Sequence, residues 1–137
     1  MKSATQLIEQ IIRAKTALHL RLAADRSGGK LNVNADSAAG KVAVAVEAEK
    51  FVSVSDTNGI LKDVSDPESN ISSATEEEIK QMIASGIITE GMLPKVEACL
   101  IALDGGVKKA HIIDGRIQHS LLLEIYTEEG VGTQIIK

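Results

Sequence analysis

Lys95 closes the run Gly91-Met92-Leu93-Pro94-Lys95, in which a proline with its preset φ marks the first turn of a helix. A helix N-terminus favours anions through unpaired N–H groups and the helix dipole, and a lysine there adds a full positive charge. That combination suits a phosphate, although taken alone Lys95 also fits an ordinary solvated helix lysine. Ser55 and Asp56 end the stretch Phe51-Val52-Ser53-Val54-Ser55, which reads as a strand entering the turn Asp56-Thr57-Asn58-Gly59. In parallel α/β sheets ligands sit outside the carboxyl ends of the strands, so this pair should line such a crevice. Asp36 precedes a small-residue run and reads as the N-cap of a helix from Ser37 to about Val46.

Other constellations carry less. Ser27-Gly28-Gly29-Lys30 looks like the end of a phosphate-binding loop, but Leu31 stands where Ser or Thr belongs and the first glycine is missing. It reads as a chance glycine turn. His19, His111 and His119 have no metal-ligand spacing with Cys99, and His111 reads as a strand histidine. No Ser/His/Asp arrangement recommends acyl transfer.

Charge and hydropathy patterning divide the chain around these residues into two regions. Residues 1–30 carry six basic side chains (Lys2, Arg13, Lys15, Arg21, Arg26, Lys30) against Glu9 and Asp25. Leu7, Ile8, Ile11, Ile12, Leu18 and Leu22 recur there at helical spacing, with Ser27-Gly28-Gly29 as the stop. From Leu31 the pattern alternates strands and helices. Lys62 to Asn70 is a polar loop or small hairpin. Thr75-Glu76-Glu77-Glu78 fits a capping box for a helix that Gly86 closes. A helix from Gly91 ends before Gly105-Gly106. Ala110-His111-Ile112-Ile113 reads as a buried strand, His119 to Tyr126 as a short helix, and Thr133 to Ile136 as a closing strand. This alternation predicts an α/β fold, a three-layer α/β/α sandwich with a mainly parallel sheet.

Composition narrows the function classes. The chain of 137 residues suits one domain, and 44% hydrophobic with 25% charged residues excludes wholesale disorder. Phe51 and Tyr126 are its aromatic residues, and the net charge is −4. Both facts argue against nucleic acid as a partner, which asks for stacking rings and positive charge. Apolar runs such as 42–46 and 121–123 are far too short to span a bilayer. The lone Cys99 and the absence of a leader-type N-terminus point to the cytoplasm.

Several longer motifs carry a family resemblance. Leu31-Asn32-Val33-Asn34-Ala35-Asp36-Ser37-Ala38-Ala39-Gly40 resembles the substrate-side signature of the N-acetylglutamate kinases. Val54-Ser55-Asp56-Thr57-Asn58-Gly59-Ile60-Leu61 is similar to their nucleotide-binding turn, and residues 86–98 to their catalytic-lysine helix. His111-Ile112-Ile113-Asp114-Gly115-Arg116 and Gly130-Val131-Gly132-Thr133 resemble their C-terminal end.

The resemblance covers residues 31–137 and implies the C-terminal, ATP-binding half of the amino-acid-kinase fold. It implies phosphoryl transfer from MgATP to the side-chain carboxylate of N-acetyl-L-glutamate, within arginine biosynthesis. On that pattern Lys95 and Asp36 are catalytic, and Asn32 holds the substrate. Ser55, Asp56, Gly91 and Met92 contact the nucleotide, and Mg2+ rides on its phosphates. Glu124 and Gly130 become candidates for an arginine effector. Family members are longer, and the N-terminal half that supplies their glycine-rich phosphate loop, a second lysine and most of the substrate pocket has no counterpart in residues 1–30. Glu47 replaces a customary helix-ending glycine. Two alternatives therefore stand beside the kinase: a non-catalytic nucleotide-binding module, and a homodimer joined through the N-terminal helix along Leu7, Ile11, Ala14 and Leu18.

Overall fold

The computed structural model describes residues 22–24, 27, 29–126 and 131–137. The expected N-terminal helix and its Leu7–Leu18 stripe lie outside the described residues, apart from Leu22. That residue is not helical. Leu22–Ala24 forms β1, antiparallel to β2 (Lys30–Asn32), with Ala24 opposite Lys30. Ser27 and Gly29, expected to end a helix, therefore lie between two strands. A three-residue strand is too short to display its own period, so only the partner strand reveals it.

Helix α1 (Ala35–Ala45) is capped by Asn34, whose side-chain oxygen accepts from the Ser37 N–H at 3.0 Å. Asp36 is thus not the cap. It lies in the first turn, favoured there by the helix dipole, with its carboxylate free for a tertiary partner.

The main sheet has the order β3-β5-β6-β4, comprising β3 (Lys50–Ser55), β4 (Ser73–Thr75), β5 (Lys109–Asp114) and β6 (Thr133–Ile136). Strands β3 and β5 are parallel, as are β4 and β6, whereas β5 and β6 are antiparallel. The reversal follows from α4 (Ser120–Tyr126), which spans seven residues. At about 10 Å it cannot carry the chain back along the sheet, so β6 enters beside Ile112, near the end where β5 left. The very short β4 escapes sequence patterning for the same reason as β1.

Side-chain alternation assigns the two faces. Phe51, Ala74, Ala110, Ile112 and Ile135 point into one aliphatic core with Ile79 of α2 (Glu76–Ala84) and Val96, Cys99, Ala102 and Leu103 of α3 (Leu93–Asp104). His111 alternates to the opposite face, where it meets Glu124 of α4. Helices on both faces make the α/β sandwich that the alternating pattern predicts.

Helix ends repeat one device. In α1, α2 and α3 the residue after the C-cap donates to the carbonyl three residues back, and the next N–H reaches five back. The motif needs a left-handed residue. Gly86 (φ 75) and Gly106 (φ 103) supply it for α2 and α3, but α1 uses Glu47 at φ 54. The capping box of α2 is complete: the Glu78 N–H donates to Thr75 Oγ1, and the Thr75 N–H donates to Glu78 Oε2 at 2.7 Å.

Candidate functional site

A cleft of about 410 Å³ opens between the carboxyl end of β3 and the N-terminus of α3. Ser55, Asp56, Gly91, Met92 and Lys95 all line it. Two segments distant in sequence therefore bring these residues together: the end of β3 with the turn that follows it, and the start of α3. Ile60, Leu61, Ile87 and Ile88 add an apolar wall, while Thr57 and Thr89 add hydroxyls. Ile87 and Ile88 follow the Gly86 helix stop, a signal that marks a loop without saying what it faces.

The turn after β3 is held from outside the site. Gly59 sits at φ 79, and a Cβ there would lie 2.5 Å from Thr133 Oγ1. The buried Thr133 hydroxyl oxygen accepts from the Ile60 N–H at 2.7 Å. Ser55 Oγ lies 3.2 Å from Thr57 Oγ1 within the turn, and Gly115 donates to the Ser55 carbonyl at 2.8 Å.

At the rim the Lys95 ammonium lies 3.8 Å from the Asp36 carboxylate, with side chains 23% and 33% exposed. The pair is loose and wet, so its charges stay available. The start of α3 offers fewer free donors than its sequence suggests. Pro94 has no N–H, Met92 and Leu93 donate to the Thr89 carbonyl, and Lys95 donates to that of Met92. Gly91 keeps an N–H without a partner among the described residues. Lys95 itself is thus the main positive charge that this end presents.

Asn32 is exposed at the end of β2, four positions before Asp36 and outside the lining of the cleft. Glu124 is elsewhere altogether. Its buried carboxylate accepts from Lys50 Nζ and from the Val131 N–H, each at 3.0 Å, and contacts His111 Nδ1. Burial, reinforced by Lys50 and Lys109, pushes His111 down to about 4 against the pull of Glu124. The imidazole is therefore neutral, and its buried Nε2 has no partner among the described residues. Gly130 lies outside the described residues. Sequence reasoning missed this cluster because Lys50 and Glu124 are 74 residues apart and His111 joins them from another strand. It also missed the Asp114–Arg116 clamp beside Asp56, in which Arg116 Nη2 donates to Asp114 at 2.7 Å and holds that carboxyl below its usual range. Burial raises the Cys99 thiol to about 12, which leaves it unreactive. Among the described residues no group of three or more His, Cys, Asp or Glu side chains could hold a metal ion, and no helix is long and apolar enough to cross a membrane.

Solved structures place this architecture in the amino-acid-kinase fold. N-acetylglutamate synthase from Neisseria gonorrhoeae, complexed with coenzyme A and L-arginine, superposes with a TM-score of 0.80 at 26% identity, over 100% of this chain and 31% of its own. Carbamate kinase from Giardia lamblia bound to AMP-PNP gives 0.70 at 18% identity, over 96% and 48%, a likeness of fold alone. The sequence profile of the amino acid kinase family matches residues 4–114, and the chain belongs to that family. The match takes in most of the first thirty residues. Acetylglutamate kinase from Methanosphaera stadtmanae is 52% identical over 114 residues, 83% of this chain and 38% of that protein. That of Methanococcus vannielii is 45% identical over 134 residues, 97% and 46%. The chain thus spans less than half the length of these relatives.

Proposed function

We propose that this chain is the ATP-binding half of an acetylglutamate-kinase-type phosphotransferase, acting on the side-chain carboxylate of N-acetyl-L-glutamate in cytoplasmic arginine biosynthesis. The observation that carries the reading is the Lys95–Asp36 pair at the rim of a cleft lined by Ser55, Asp56, Gly91 and Met92. A carboxylate acceptor is already a nucleophile and needs no base. Catalysis then reduces to alignment and to neutralising charge on the moving phosphoryl group. Lys95 supplies that positive charge, and Asp36 holds its ammonium in place. The Gly91 N–H and the dipole of α3 add to the field.

The residues fit the nucleotide chemically. An apolar wall with Met92 suits a base, and the hydroxyls of Ser55 and Thr57 suit a sugar. Asp56 lines the same cleft and would contact the nucleotide, while Mg2+ would ride mainly on the phosphates, where it shields their charge. Asn32 would hold the amino-acid substrate. On the family pattern Glu124 and Gly130 stay the candidates for an arginine effector; in this structure the Glu124 carboxylate is taken by Lys50, His111 and the Val131 N–H.

A second reading, a nucleotide-binding module without turnover, is favoured by the 38% coverage of the Methanosphaera relative. One sample separates the two. The chain is titrated with MgATP by calorimetry, then assayed for hydroxamate formation from N-acetyl-L-glutamate. Binding with turnover, the turnover falling sharply in Lys95→Ala, supports the kinase. Binding alone supports the module, and no binding sinks both.

A further inference from the structure

Helices α1 and α3 meet where Gly40 faces the backbone of Ala98. A Cβ on Gly40 would lie 2.6 Å from the Ala98 carbonyl oxygen and 3.3 Å from its carbonyl carbon and Cα. The obstacle is backbone, so no rotamer change relieves it and one helix would have to move. The neighbourhood is closed: Gly40 and Ala43 of α1 are buried, as are Ala98, Cys99 and Ala102 of α3. Glycine is second only to proline in its cost to a helix interior. Its presence here forgoes helix stability in return for a closer approach.

Asp36 precedes Gly40 by four residues, and Lys95 precedes Ala98 by three. These are the spacings that stack side chains on one helical face. The ion pair therefore sits one turn from the point of closest approach on both helices. Its separation is 3.8 Å, already long for a salt bridge. From 2.6 Å to ordinary contact is most of an ångström, and a retreat of α1 by that much takes the carboxylate out of reach.

We propose that Gly40 is a positioning residue, which lets α1 approach α3 closely enough for Asp36 to hold the Lys95 ammonium at the rim of the cleft. Gly40 touches no ligand and acts through Asp36. Its consequence for catalysis rests on the reading of Lys95 given above, but the spacing claim does not.

Rates of labelling by an amine-selective reagent, read lysine by lysine by mass spectrometry, test it on the chain as it stands. Cys99 is probed in parallel with a thiol reagent. Asp36→Asn is expected to raise Lys95 labelling by about two- to fivefold, the range for a partly exposed ion pair. Gly40→Ala should match it, with Lys80 unchanged and Cys99 still protected. Adding Asp36→Glu to Gly40→Ala, one methylene longer, should bring Lys95 back toward its native rate. Native labelling of Lys95 in Gly40→Ala, or in Asp36→Asn, overturns the proposal. So does a reactive Cys99 in Gly40→Ala, since the glycine would then serve only to keep the core closed. MgATP added to the native chain should shield Lys95. Failure of that arm alone counts against the nucleotide cleft, while the labelling rates still decide the spacing.

Discussion

Two lysine–carboxylate pairs lie at different places on this sheet. Lys95 lines the cleft and pairs with Asp36 beside it, both partly solvated, 3.8 Å apart, with no further bonds to either charged group among the described residues. Lys50 and Glu124 lie under α4 at 3.0 Å, and the Glu124 carboxylate also takes the Val131 N–H and His111. A buried carboxylate must be saturated, because each missing partner costs desolvation that nothing returns. A charge meant for a ligand has the opposite need: it must be held weakly enough to be shared. The first pair has the character of a site and the second that of a fastening between α4, β3 and β5.

The largest expected effect breaks the fastening. Glu124→Ala strands Lys50, His111 and the Val131 N–H, and should cost about 3–5 kcal/mol in urea unfolding. Lys95→Ala should leave stability within about 1 kcal/mol, as for an exposed pair, yet lower turnover by about 10²–10³ in a chain that is active. Equal stability losses in the two variants would erase the contrast.

Next comes pH. The folded state holds His111 neutral down to about 4, whereas an unfolded histidine takes its proton near 6.5. Between those values the unfolded chain binds more protons, so stability falls as pH drops from about 6.5 to about 4, by about 1–3 kcal/mol. His111→Gln should flatten that part of the curve, and a slope left unchanged would mean that another group sets it.

The smallest effect belongs to the end of α1, which carries Asp36. Glu47 holds a left-handed φ of 54 where α2 and α3 use glycine. Glu47→Gly should raise the unfolding free energy by about 1 kcal/mol without altering MgATP binding. A lower stability would show that Glu47 makes a contribution its backbone angle conceals.

The legible parts of the fold were those with local causes. The Thr75–Glu78 box, Pro94 at the start of α3 and the glycines after α2 and α3 each act within a few residues, so spacing alone reveals them. Motifs likewise pointed to Ser55, Asp56, Gly91, Met92 and Lys95, which the chain gathers on one cleft. Local reasoning failed where two candidates competed or a partner was remote. Asn34 rather than Asp36 caps α1, because the extended backbone at Asn34 (φ −70, ψ 122) presents its side chain to the Ser37 N–H. The hairpin of β1 and β2, the short β4 and the reversal of β6 all depend on strands that sequence patterns do not pair.

Both ends of α2, the end of α3, the mainly aliphatic core and the residue types at the ends of β3 and α3 are written locally, since propensity, capping and burial act along the chain. Which charges meet is a matter of packing. The Asp36–Lys95 distance depends on how closely α1 approaches α3, and the Lys50–Glu124–His111 cluster on which face of the sheet α4 covers. Both are consequences of packing across tens of residues, where close contact is set by backbone approach and not by order in the chain.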